Sequence, residues 1–131
     1  MEVIEKLNYS HFKEENKKSQ ILLTHTSRNL IDYMVSLKYR FGGRPTKLPH
    51  YFVDREGKII HVMDNMKNGK YSNNERVNAK SIVISLENLG WLEKVPLKNH
   101  HINWIGNIYK GNIVDRKWRD YFFGNLTLKY S

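Results

Sequence analysis

One histidine stands where an imidazole could bind a metal ion. His25 ends an apolar run that begins at Gln20, and a helix-like pattern follows a few residues later. A histidine held at the rim of a sheet can face a cleft and coordinate metal. Because the chain has no cysteine, any zinc site must use histidine and carboxylate ligands. On its own, His25 fits either a metal ligand or a hydrogen-bonded structural residue.

Further polar residues are candidates for proton transfer or substrate contact. Ser85 lies in the β-branched run of residues 81–86, and Glu87 follows it by two positions. If the strand extends that far, both side chains share a face and the Glu87 carboxylate could act as a general acid or base. The alternative is an exposed carboxylate at the end of a strand. We expect His50 to be structural and His61 to point outwards.

The elements that must position these residues alternate between strand and helix patterns. Apolar spacing predicts a helix over residues 28–40, and residues 64–78 predict a long polar loop. Gly57 is expected at positive φ in a hairpin turn, and a weaker pattern predicts a short hairpin around Gly106. Strands are predicted at residues 20–25, 50–54, 58–63 and 81–86, the first and last of them central. This order indicates an α/β fold with a mixed central β-sheet and flanking helices.

Composition indicates one folded domain with a positive surface. The 131 residues are 40% hydrophobic and include 16 aromatic side chains (3 Trp, 8 Tyr and 5 Phe), so a core can form.

 Residues 1–19 are charged and are expected to form an N-terminal extension, with one domain over residues 20–131. A net charge of +9 favours anionic partners. Without an apolar run long enough for a signal peptide or a membrane span, the chain is expected to be made in the cytoplasm and to reach a cell wall only on lysis or by separate export.

Three segments resemble the signature strands of one known family. They are residues 21–27 with His25, residues 49–59 with an Asp-x-x-Gly hairpin, and residues 78–88 with a Ser-Ile-x-Ile strand. In order and spacing they are similar to the type-2, zinc-dependent N-acetylmuramoyl-L-alanine amidases. This family occurs in phage endolysins and bacterial cell-wall enzymes and is related to the peptidoglycan-recognition proteins. The resemblance covers residues 20–90.

The resemblance implies a peptidoglycan hydrolase with Zn²⁺ as its cofactor. His25 matches the first zinc ligand of the family, and peptidoglycan or a muropeptide would be the partner. The bond to be hydrolysed is the amide between N-acetylmuramic acid and L-alanine. Three protein ligands would leave a fourth zinc position, where water is activated and the scissile carbonyl is polarised.

Two departures from the family pattern concern catalysis. Ser85 occupies the position where many relatives carry a proton-transferring glutamate, so Glu87 is the candidate substitute. The two later zinc ligands and the C-terminal helix of the family have no counterpart before Ser131. We therefore expect a truncated domain with weak zinc binding and little activity. The loss of one nucleotide in the codons of Phe122 and Phe123 would produce such an ending.

Two other function classes stay open at this point. The first is a non-catalytic peptidoglycan-binding module, because related recognition proteins bind muropeptides without metal. The second is a small nucleic-acid binder, which the positive charge and aromatic residues such as Trp104 would suit. No nucleic-acid-binding module is recognisable in the sequence, so we expect peptidoglycan and not nucleic acid as the partner.

Overall fold

A computed structural model describes residues 7–111, 113–118 and 121–124 of the chain. Within these residues the chain forms two α-helices, a 3-10 turn and nine strands in two sheets, which confirms the mixed α/β class. The helices are α1 (Leu30–Tyr39) and α2 (Glu75–Lys80), and the 3-10 turn is Arg40–Gly43. The strands are β1 (Gln20–His25), β2 (Tyr51–Val53), β3 (Ile59–His61), β4 (Ser81–Leu86), β5 (Trp91–Lys94), β6 (His101–Ile102), β7 (Ile108–Tyr109), β8 (Ile113–Trp118) and β9 (Tyr121–Gly124).

The first sheet is mixed and has the strand order β1-β4-β2-β3. Strand β4 pairs in parallel with β1 and β2, which confirms its predicted central position. The predicted β2–β3 hairpin is confirmed too, with Gly57 at a φ of 84°. The predicted central position of β1 is wrong, because β1 forms an edge of the sheet. Ile21 and Leu23 on this strand are 63% and 64% exposed.

One face of the first sheet packs against a helix, and the other face is partly exposed. Phe52 and Ser85 are in register on adjacent strands, so their side chains share a face. Helix α1 covers this face, and its buried residues join Phe52 in one core cluster; they are Leu30, Met34 and Leu37. The opposite face carries Ile21, Leu23 and the half-exposed Ile59. The residues of β2 and β3 that belong to that core, Phe52 and Ile60, lie on the face under α1.

Residues that precede β1 also pack into this core. Leu7 and Phe12 are buried in the same cluster as Phe52. Glu15 forms a bridge with Lys67, and their side chains make an ion pair of 2.7 Å. The described part of the segment expected to be an extension, residues 7–19, is thus packed against the domain. Residues 1–6 lie outside the described residues.

The second sheet is antiparallel, with the strand order β7-β6-β5-β9-β8. The predicted hairpin around Gly106 is confirmed as the β6–β7 pair. The other strands of this sheet were not predicted, and α2 was not predicted within the polar loop. Neither helix among the described residues is long and apolar enough to cross a membrane. The expectation about the reading frame concerns the codons of Phe122 and Phe123 and the residues after them, of which 125–131 lie outside the described part of the chain.

Candidate functional site

A cleft of about 620 Å³ lies at the carboxyl end of β1. Thr24 and His25 from the end of β1 line it, together with Ser27 and Arg28 from the turn that follows. Strand β1 has β4 as a parallel neighbour, and ligands of α/β proteins commonly bind beyond the carboxyl ends of parallel strands. His25 therefore occupies the strand-end position between β1 and α1 that the sequence indicated.

The cleft wall is basic and partly aromatic. Its positively charged side chains are Arg28, Arg40 and Lys47, and none of the described residues that line it carries a carboxylate. Aromatic rings come from three separate parts of the chain, at Tyr33, Tyr71 and Trp104. A wall with this composition favours ligands that combine negative charge with flat or apolar groups.

His25 is exposed at the cleft and contacts the next turn. Its Nδ1 atom lies 3.1 Å from the Oγ atom of Ser27. When Nδ1–H donates to this hydroxyl, Nε2 presents its lone pair, which is the form of imidazole that binds a metal or accepts a proton. The local geometry is therefore compatible with a ligand on Nε2.

The second sheet supports the turn that follows His25 and contains Ser27 and Arg28. Ser27 has a φ of 57°, which is uncommon for a residue other than glycine. Its carbonyl oxygen accepts hydrogen bonds from Nδ2 of Asn103 at 3.0 Å and from Nε1 of Trp104 at 2.6 Å. Both donors belong to the turn between β6 and β7. This turn supports the left-handed backbone of Ser27 and so shapes the cleft wall.

The described residues do not by themselves fit a complete zinc site. Among them, no group of three or more His, Asp and Glu side chains is arranged to hold a metal ion. His25 supplies one imidazole, whereas zinc affinity depends on several preorganised donors and their supporting hydrogen bonds. No reaction step through zinc follows from these residues alone.

Ser85 lies in the sheet and does not line the cleft. Its side chain is 1% exposed on the face that α1 covers, and its Oγ atom has no hydrogen-bond partner among the described residues. Thr24 is its register partner on β1, one residue before His25. Because side chains alternate along a strand, Ser85 and His25 project from opposite faces of the sheet.

Glu87 joins two backbone segments. Strand β4 ends at Leu86, so the strand does not extend as far as Glu87. Its Oε2 atom accepts a hydrogen bond of 2.6 Å from the backbone N–H of Leu30, and its Oε1 atom accepts one of 3.0 Å from that of Arg55. The carboxylate thus links the start of α1 to the β2–β3 turn, and Glu87 does not line the cleft.

His50 is a buried structural residue, as the sequence indicated. Its Nδ1 atom accepts the backbone N–H of Val83 at 2.9 Å, and its Nε2–H donates to the carbonyl oxygen of Lys67 at 2.7 Å. This pattern requires a neutral imidazole. Burial lowers the pKa of His50, although the hydrogen bond to Lys67 acts in the opposite direction. The half-buried His61 stacks on Tyr51 with ring centroids 4.6 Å apart.

Sequence reasoning did not find the role of Arg28, Tyr33, Tyr71 or Lys47 in the cleft. These residues come from separate segments, and no motif or spacing joins them. Trp104 was noted only as an aromatic residue of a basic chain. No protein-family model matches the chain, and a search of curated proteins gives no significant match.

Proposed function

We propose that this protein acts on peptidoglycan as a domain of the N-acetylmuramoyl-L-alanine amidase type, with a muropeptide bound in the cleft beside His25. The observation that supports the proposal most directly is the placement of His25. It lies at the carboxyl end of β1 and on the wall of a cleft of about 620 Å³. An imidazole that serves a hydrolytic metal site needs such access to substrate.

The proposed reaction is hydrolysis of the amide that joins the lactyl group of N-acetylmuramic acid to L-alanine. Water adds its oxygen to the carbonyl carbon, the C–N bond breaks, and the peptide leaves with a protonated amino terminus. Zinc, when bound, would supply the activated water. The described residues offer the cleft and one imidazole, and the reaction requires further zinc ligands.

The size and lining of the cleft suit a muropeptide. Its volume falls within the range of roughly 300–1,000 Å³ that is usual for small-ligand sites. The aromatic wall at Tyr33, Tyr71 and Trp104 offers flat surfaces for a sugar ring or a peptide backbone. The basic side chains suit the acidic groups of a stem peptide.

A non-catalytic peptidoglycan-binding module is the second candidate. The observation that favours it is the placement of the two candidate proton-transfer residues. Both carboxylate oxygens of Glu87 accept backbone hydrogen bonds, and the Ser85 hydroxyl is buried in the sheet. Neither side chain faces the cleft, whereas ligand binding there requires neither of them.

The two candidates are separated by measuring binding and hydrolysis on the same samples. N-acetylmuramoyl dipeptide binding would be followed by calorimetry, and peptide release from purified peptidoglycan by labelling of new amino termini. Both would be measured with zinc and with a chelator. Release that requires zinc and is lost in His25→Ala, but not in His61→Ala, supports the amidase.

Binding that is unaffected by the chelator, without release, supports the binding module. A folded protein that neither binds the muropeptide nor cleaves peptidoglycan would contradict both candidates. Circular dichroism of each sample shows whether the variants are folded.

A further inference from the structure

Arg28 is held in the cleft wall by two aromatic rings. Its guanidinium carbon lies 4.7 Å from the ring centroid of Trp104 and 5.7 Å from that of Tyr33. Trp104 is itself anchored by the hydrogen bond from its Nε1 atom to Ser27. The stacking limits the guanidinium to a narrow range of orientations, so a ligand that pairs with it loses little further side-chain entropy.

Arg28 has no acidic partner among the residues that the structure describes. Its Nε atom is shielded from solvent and makes no hydrogen bond there. A partly buried guanidinium is usually paired with a carboxylate, because removing its charge from water is costly. Aromatic faces are the neighbours seen here, and the Nε–H group has no acceptor among the described residues.

A second cation of the cleft wall, Lys47, also lies over an aromatic ring. The Lys47 Nζ atom lies 5.1 Å from the ring centroid of Tyr71, and the hydroxyl of Tyr71 is 3.0 Å from that of Tyr33. Burial raises the pKa of Tyr71 well above its ordinary value, so this hydroxyl stays neutral. We call this set of contacting residues the aromatic row; it consists of Trp104, Arg28, Tyr33, Tyr71 and Lys47. Because the Tyr71 hydroxyl is neutral, the aromatic row keeps the positive charge of Arg28 and Lys47.

We propose that Arg28 is the anion-recognition residue of the cleft and that its ligand group is a carboxylate of an acidic amino acid in the bound peptide. This inference rests on the proposed peptidoglycan function. The planar guanidinium offers two parallel N–H groups that match the two oxygens of a carboxylate. A bounded cleft with the three cations Arg28, Arg40 and Lys47 suits one short acidic peptide, whereas single-stranded nucleic acid needs a groove that follows several phosphates.

A matched pair of ligands tests the inference on the wild-type protein. The first is N-acetylmuramoyl-L-alanyl-D-glutamate with both carboxylates free, and the second is the same molecule with both converted to amides. The two have nearly the same shape and differ in charge. We expect the wild-type protein to bind the diacid about tenfold or more tightly than the diamide. Calorimetry measures both affinities.

Substitution of Arg28 tests whether this residue causes the preference for the diacid over the diamide. In Arg28→Gln the advantage of the diacid over the diamide should fall to about twofold or less, because the affinity for the diacid falls more than the affinity for the diamide. Arg28→Lys keeps the charge but not the planar fork, so its preference should be intermediate. Arg76→Gln is the matched control, because it removes the same charge from the exposed face of α2 and should change neither affinity.

Three results would overturn the inference. Equal affinities of the wild-type protein for the diacid and the diamide would show that the cleft has no carboxylate-binding site. This result would not contradict the proposed peptidoglycan function. An unchanged preference in Arg28→Gln would assign the carboxylate to another residue. A single-stranded oligonucleotide that binds more tightly than the diacid, and depends on Arg28, would assign the site to phosphate. Binding of neither muropeptide would instead overturn the proposed function itself.

Discussion

The carboxylate of Glu87 accepts a hydrogen bond of 2.6 Å from the backbone N–H of Leu30, the first residue of α1. Asn29, at the N-cap position, makes no capping hydrogen bond with its own side chain. The cap of α1 thus comes from a residue 57 positions later in the chain. Because the N-terminus of a helix carries partial positive charge, a carboxylate is well suited to this place. The contact ties α1 to the end of β4.

Replacing Glu87 with glutamine should lower the free energy of unfolding by about 1–2 kcal/mol. Glutamine keeps one acceptor oxygen but directs an NH₂ group at the second backbone N–H. Urea denaturation measures the change. Glu93→Gln is the control, because it removes the same charge from an exposed position on β5. Equal effects of the two substitutions would contradict the capping role.

The stability contributed by His50 should depend on pH. Burial lowers its pKa in the folded protein, so the unfolded chain binds the proton first as the pH falls below about 6.5. The free energy of unfolding therefore decreases from pH 7 towards the lower folded-state pKa, by at most about 1.4 kcal/mol per pH unit for one proton. Denaturation at several pH values measures this slope.

The test variant is His50→Gln. It should be less stable at pH 7.5 by about 1–3 kcal/mol, because the buried hydrogen bonds to Val83 and Lys67 are disturbed, and its pH slope should be smaller than that of the wild-type protein. An unchanged slope in His50→Gln would show that another group causes the pH dependence.

Asn107 should be important for attaching the β6–β7 turn to α1. Its Oδ1 atom accepts the backbone N–H of Asn29 at 3.1 Å, and its Nδ2 atom donates to Asp32 at 2.9 Å. Asn107→Ala should lower the free energy of unfolding by about 1–2 kcal/mol. Thermal and urea denaturation beside Asn73→Ala, an exposed control, would show this. A loss in Asn107→Ala no larger than in the control would contradict the attachment.

The number of zinc ions bound per chain tests whether the cleft has a complete set of zinc ligands. Because a single imidazole binds zinc weakly, we expect the 131-residue chain to retain far less than one zinc per molecule after metal loading and buffer exchange. Elemental analysis measures the ratio for the wild-type protein, His25→Ala and the control His61→Ala. One zinc per chain that disappears only in His25→Ala would reveal a complete site and contradict this expectation.

Local sequence patterns predicted the parts of the fold that local chemistry determines. The β2–β3 hairpin, its turn at Gly57 and the β-branched strand β4 all have short-range signals. The edge position of β1 could not be predicted in this way, because an apolar run indicates a strand but not its neighbours. The sheet that contains β5 and β9 likewise depends on pairing between segments distant in sequence.

The candidate site likewise combines features that have a local sequence signal with features that depend on distant segments. His25 was found because it ends a recognisable strand, and a strand end is a local feature. The hydrogen bonds of Glu87 and the aromatic row around Arg28 depend on where α1, the β6–β7 turn and the loop with Tyr71 meet. Tertiary packing brings these elements into contact, and the spacing of residues in the sequence does not predict such contacts.

The strand order of the first sheet also constrains the time course of folding. The β2–β3 hairpin joins nearby residues, whereas β1 pairs with β4, so Gln20 must meet Ser81. Closing that long loop costs more chain entropy, and non-local parallel pairing is slow. During synthesis β1 remains without β4, its neighbour among the described strands, until β4 leaves the ribosome. A chaperone that shields Ile21 and Leu23 in this interval would raise the yield of native protein.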